Sequence, residues 1–366
     1  MKRTKEFIAI AVCLTILAGC KKEGRDHDDH NDMGPGHVYT ITNDAKYNVL
    51  LDYRRSVDGM LTLDNSYTTG GSGTGSGLGS QGAVALVDDE FVLVVNAGSN
   101  SISSFKVSNH GLELKSTVNS GGEMPISIAA HDHVVVVLNA GGNGNISGFT
   151  LGEDGKLNTL RNSTRPLSGN SVGPAQVSFV NDGQTIVVTE KNANEIISYS
   201  RTGTMHTLNS ANMTPFGFAV GRNGNIFVSE AAGGAAGAST LSSYHVDNNG
   251  VITLIKGPVA TNQTSACWVT MTRDGKYAFT SNTASNNVSS FNSNSSSGDI
   301  NLLAGIAGTT GGKPGDGAMS SNSKFFYVLT PGTNTLNVFS ISANGSLTEL
   351  QTVSGISVSG AGLAAK

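Results

Sequence analysis

The chain has 366 residues, a formal net charge of −4, only 14 % charged residues and 47 glycines. The acidic balance offers no basic field for phosphates and excludes a nucleic-acid binder, while scarce charge with abundant Gly, Ser, Thr and Asn suits many short strands joined by tight turns. The length admits two ordinary domains or one large repeat array, and without a phosphate loop, clustered metal ligands or a convincing Ser-His-Asp order, no cofactor and no metal are expected.

Residues 1–19 open with the basic stretch MKRTKEF, and IAIAVCLTILA follows as an apolar run too short to span comfortably as a final transmembrane helix. The run ends in Leu17-Ala18-Gly19-Cys20, which resembles the lipobox of bacterial lipoproteins. That resemblance implies cleavage before Cys20, a lipid anchor on Cys20 and, because Lys21 rather than Asp follows, an outer-membrane address, periplasmic or surface-exposed. An ordinary signal peptide with an incidental Cys is the alternative. Residues 20–36, rich in charge and nearly free of apolar side chains, read as a solvated tether. Its His27, Asp28, Asp29 and His30 have no preset geometry for a metal. Only Cys267 would remain in the mature chain, so no intrachain disulfide is expected; beside Trp268 it reads as a buried small hydrophobe rather than a nucleophile.

From residue 37 a unit repeats: an apolar strand, a second strand ending in Asn or Glu, a small polar loop, a third strand with one aromatic, then a turn Gly and a short alternating strand. The aromatic recurs as Tyr53, Phe105, Phe149, Tyr199, Tyr244, Phe291 and Phe339. The glycine recurs as Gly59, Gly111, Gly155, Gly203, Gly250, Gly298 and Gly345. Four short strands at a period of roughly 40 to 53 residues predict an all-β, seven-bladed β-propeller over 37–366, with the aromatics packed between blades. Blade one begins at HVYTITND, which matches a second strand, and VSGAGLAA at the C-terminus matches a first strand. The last residues are therefore expected to complete blade one. Asp182-Gly183, Asn223-Gly224 and Asp274-Gly275 are expected in type I′ hairpins. TTGGSGTGSGLGSQG at 68–82 reads as a flexible loop between blades one and two, needing no function.

Chemistry in such a ring is expected where the ends of the second strands converge on a central funnel. That position reads Asn43, Asn96, Asn139, Glu190, Glu230, Asn282 and Thr330 around the ring. The asparagines suit left-handed turn geometry, with ligand binding by Asn96, Asn139 and Asn282 as the functional alternative. Glu190 and Glu230 stand where Asn prevails elsewhere and are candidate catalytic carboxylates, although Lys191 or Arg222 could simply neutralise them. EAAGGAAGAST at 230–240 is a flap over the funnel or a mere insertion. His131 and His133 fall in a turn on the far rim.

VNAGSNSISSF, TRDGKYAFTSNTASNNVSSF and LNVFSISANGSLTEL resemble the lactonase-type seven-bladed propellers, a family including a bacterial 6-phosphogluconolactonase and fungal carboxymuconate cyclases. The resemblance implies a metal-free site in which a funnel Glu, arginines and a histidine handle a lactone. Glu230 in FVSEAA matches the family's Glu. Gln176 stands at the family's blade-four His, Pro215-Phe216-Gly217 at its Pro-Arg-His, and Asn282-Thr283 at its Asn-Arg, so the oxyanion-stabilising cations are replaced. Gln176 and Trp268 remain candidate ligand contacts. Two functions follow as expectations. The first is a monomeric, lipid-anchored binding module with a degenerate site, its partner a glycan, a small lactone or an envelope protein. The second is a hydrolase of a neutral lactone with Glu230 as general base.

Overall fold

Each repeat buries both faces of its own small sheet against its neighbours, and seven such sheets close into a ring. The computed structural model describes residues 34–366; residues 1–19, Cys20 and most of the 20–36 tether lie outside the described residues.

Six blades hold four antiparallel strands, five of them in simple sequence order; in blade three the outermost position is split between Leu157–Thr159 and Arg165–Pro166. Blade one is closed as expected, with Ala361–Ala365 as its inner strand beside Gly36–Ile41, Val49–Arg55 and Leu61–Thr68. This pairing joins the two ends of the ring, as His37 C=O accepts Lys366 N–H. The hydrophobic clusters lie between blades rather than within them. Tyr53 packs with Tyr327 and Val338 between blades one and seven, and Phe279 with Phe326 and Phe339 between six and seven. All seven repeated aromatics are at most 3 % exposed.

The turn glycines have two reasons to be glycine. All seven have positive φ, between 77° and 102°. Several also abut a ring at the start of the neighbouring blade's second strand, where a Cβ on Gly59 would lie 2.3 Å from Phe325 and one on Gly345 2.4 Å from Tyr277.

The hairpins divide. Asp182-Gly183 and Asn223-Gly224 both have paired positive φ values, as a type I′ turn requires. Asp274-Gly275 does not: only Gly275 is left-handed, its N–H bonded to Thr272 C=O, so Arg273-Asp274 form a type I turn closed by the glycine. Asp274 Oδ1 accepts Thr272 Oγ1–H and Lys276 N–H, which stabilises that alternative.

Candidate functional site

The channel mouth begins with an irregularity shared by five blades. Where each inner strand starts, its pairing with the second strand slips past Ile126, Ala175, Phe216-Gly217, Cys267 and Gly362. Such bulges release backbone groups from the ladder, and released groups buried in a narrow channel need other partners.

Two of them, the Ile126 and Ala175 carbonyls, find partners in the 68–82 segment, which also binds backbone on the inner edge of other blades. It is not a free loop but a plug. Ser80 Oγ donates to Ile126 C=O at 2.8 Å, and Gln81 N–H to Ala175 C=O at 3.0 Å. The Gln81 amide then mimics a strand, donating from Nε2 to Val269 C=O (2.9 Å) and accepting Val269 N–H (3.0 Å). Gly82 N–H and Gly362 N–H bind the two oxygens of Asp316, at 3.2 and 3.0 Å. With a longer Gln81 Nε2 contact to Phe218 C=O, residues 79–82 thus reach blades three to seven from a connection between one and two. Within the segment only Leu78 and Gln81 are larger than threonine, which lets the rest descend between the inner strands.

The remaining released carbonyls are taken by neighbours. Thr189 Oγ1 donates to Phe216 C=O, and Ser229 Oγ lies within hydrogen-bonding distance of Gly217 and Cys267 C=O. Gln176 repeats the Gln81 device one blade earlier, its amide pairing with Phe218 C=O (3.0 Å) and Phe218 N–H (2.6 Å). Gln176 is 8 % exposed and its polar atoms are engaged within the protein.

What faces outward is a small aromatic and cationic cap. Trp268 donates Nε1–H to Ser80 C=O at 2.9 Å, and its ring lies 4.9 Å from that of Phe216. Lys191 Nζ stands 4.7 Å above the Phe216 ring and donates to Gly79 C=O. Burial pulls the Lys191 ammonium down to about 8 and pushes the Cys267 thiol up to about 11.

The second-strand ends do not converge on the funnel. All seven side chains are fully buried and bonded to adjoining strands and connections, Asn43 to Thr74 and Ser76 C=O and Thr330 to Asn337. Asn96 accepts from Thr69 and Asn48 and donates to Ser103. Asn282 donates to Asn287 and Ser289. Asn139 donates to Ser120 C=O and Asn145, leaving its own Oδ1 without a partner. Left-handed geometry belongs to Asn43 alone at this position; elsewhere it falls four residues on, at Asn100, Asn194, Asn286 and Asn334.

Glu230 is bound by four hydroxyls: Oε1 accepts from Ser210 (2.8 Å) and Tyr244 (2.7 Å), Oε2 from Thr240 and Ser242. Glu190 accepts Ser168 N–H and Oγ–H, and burial raises its carboxyl above the usual carboxylate range. Ser168 and Ser210 belong to different interblade connections, so the two carboxylates are bound separately. Neither has an ion pair with Lys191 or Arg222 among the described residues. The 230–240 segment forms a short 3₁₀ turn at Ala232–Gly234, and residues 233–238 are exposed.

Asp316 is the buried titratable group of the plug. It is 4 % exposed, and burial pushes its carboxyl up to about 7 against the opposing pull of the Gly82 and Gly362 N–H groups. A carboxyl that holds its proton more tightly when folded stabilises the fold fully below pH ~4, and that contribution fades as pH rises to ~7. Asp316→Asn removes the titration. Native protein is expected to lose roughly 2 kcal/mol relative to this variant between pH 5 and pH 7 in urea unfolding. Parallel profiles would overturn the assignment.

Residues 37–172 match the family described as "Lactonase, 7-bladed beta-propeller". No curated relative matches the sequence. Among solved structures, a putative 6-phosphogluconolactonase from Bacteroides uniformis is similar at 19 % identity and TM-score 0.68, covering 89 % of this chain and 98 % of its own. The periplasmic gluconolactonase of Pseudomonas aeruginosa is similar at 15 % identity and TM-score 0.69, with coverages of 90 % and 98 %. A protein from Lactobacillus plantarum is similar at 16 % and 0.72, with coverages of 90 % and 99 %.

Proposed function

We propose that this seven-bladed propeller, similar over residues 37–172 to the lactonase family, serves as a binding module at the bacterial cell envelope, held by a lipid on Cys20, with its funnel given over to the fold. The observation that supports this most is the plug. The Gln81 amide, with Gln176 beside it, occupies the backbone groups at the channel mouth that a ligand would otherwise meet.

The replaced family positions fit the same reading. Where the resemblance implies a histidine beside the lactone, Gly217 stands, and a Cβ there would lie 2.0 Å from Gln81 Oε1. The plug therefore depends on that replacement. Phe216, in place of the implied arginine, packs at a tilt against Trp268 and supplies no charge for an oxyanion. Glu230, with two hydroxyls on each oxygen and no exposed surface, is poorly placed to take a proton from water.

The test is a hydrolysis panel of neutral sugar lactones, aromatic-derived lactones and acyl-homoserine lactones, run on membranes bearing the native chain and its Glu230→Gln variant. No turnover above a membrane blank is expected. Turnover that disappears in Glu230→Gln would overturn the binding reading and make Glu230 the general base. The same cells test the address: the native chain should sediment with outer membrane, and a Cys20→Ser chain should not.

A further inference from the structure

A cleft of about 650 Å³ opens between blades one and two, on the rim opposite the plug. Blade one contributes Asp52, Arg54 and Asp64, blade two contributes Asp89 and His110, and Lys366 closes one wall. Its size falls within the roughly 300–1,000 Å³ of small-ligand sites.

The charged groups here are notable for not pairing. Among the described residues, the side chains of Arg54, Asp64, Asp89 and His110 make no ion pair or hydrogen bond with another side chain, although all four line one cavity. Beneath them, Asp52 is 1 % exposed and holds His37 Nδ1 at 2.7 Å. The His37 ring lies parallel to Tyr39, 5.9 Å between centroids, so its orientation is fixed. A rigid floor thus carries a ring of uncommitted donors and acceptors.

The balance of charge selects the ligand. Three carboxylates disfavour an anion, while Arg54 and Lys366 disfavour a metal ion, and no His/Cys/Asp/Glu group among the described residues forms a metal cluster. Val107 and Leu112 are too little apolar surface for a hydrophobic ligand. Carboxylates and a guanidinium lining one cavity match vicinal hydroxyls, each of which both donates and accepts. We propose that this cleft binds a neutral saccharide, away from the propeller axis. The proposal deepens the binding-module reading by naming its ligand class and surface, and it rests on that reading.

The experiment uses the full chain in a detergent without a sugar headgroup, titrated calorimetrically with maltohexaose, cellohexaose, xylohexaose, mannohexaose and chitohexaose. At least one is expected to bind, and Arg54→Ala and Asp64→Asn, both at exposed side chains, should each weaken it tenfold or more. Lys191→Gln, at the plugged mouth, should leave it unchanged. Binding by none of the five, binding untouched by both cleft variants, equal loss in Lys191→Gln, or tighter binding of hexagalacturonate than of any neutral chain would overturn the proposal. Lactone turnover with saccharide binding intact would sink the binding-module reading while leaving the cleft's ligand standing, so the two failures are distinguishable.

Discussion

Gln81→Ala is expected to lower the unfolding free energy by roughly 2–4 kcal/mol, because it strips partners from buried backbone groups that nothing else nearby supplies. The substitution leaves Val269 N–H and C=O without the Gln81 amide and vacates the space beside Gly217. The chain has one tryptophan, and its indole N–H is bound to Ser80, the residue before Gln81. Trp268 emission should therefore shift to the red as the plug loosens and water reaches the indole. Gly217→Ala attacks the same contact from the other side, since its Cβ would collide with Gln81 Oε1. The two variants share one interaction, so the double variant should cost clearly less than the sum of the singles. Additive effects, or unchanged stability and emission in Gln81→Ala, would show that 79–82 does not plug the channel.

Glu230→Ala should be more damaging still, at about 3–5 kcal/mol. The loss combines a buried cavity with the hydroxyls of Ser210, Thr240, Ser242 and Tyr244 deprived of their shared acceptor. Glu230→Gln should cost only about 1–3 kcal/mol, because hydroxyl groups can rotate to accept from the new amide. The order of the two variants separates a structural carboxylate from a catalytic one. If Glu230 were held for chemistry, Gln would abolish function with little change in stability. Equal stability of native protein and Glu230→Ala in equilibrium denaturation would remove the hydroxyl network as the reason this carboxylate is buried.

The contrast between these two residues marks how far sequence reaches. Glu230 is legible because the repeat assigns it a position at which Asn prevails in the other blades. Where its side chain points was not visible: the same strand end can face the axis or the neighbouring blade, and only the twist of the assembled ring decides. Gln81 carried no signal beyond being large in a run of small residues. Its partners in blades four, five and six are about 90 to 190 residues away. The inner-strand bulge that frees the Ala175 carbonyl is likewise invisible, since a slip of one residue leaves the apolar pattern nearly intact.

By itself the sequence determined the architecture: seven repeats, the aromatics between blades, the glycine turns and the closure of blade one by Ala361–Ala365. The repeats follow from side-chain alternation and from backbone positions that only glycine readily adopts, and the closure from the missing first strand being written at the other end of the chain. Tertiary structure decided what occupies the axis. A connecting segment entered the channel, Gln81 and Asp316 answered backbone groups released far away in sequence, and Glu190 and Glu230 were bound by serines of the interblade connections. The physical reason is the need of every buried polar group for a partner, a condition that becomes definite only once the ring has closed.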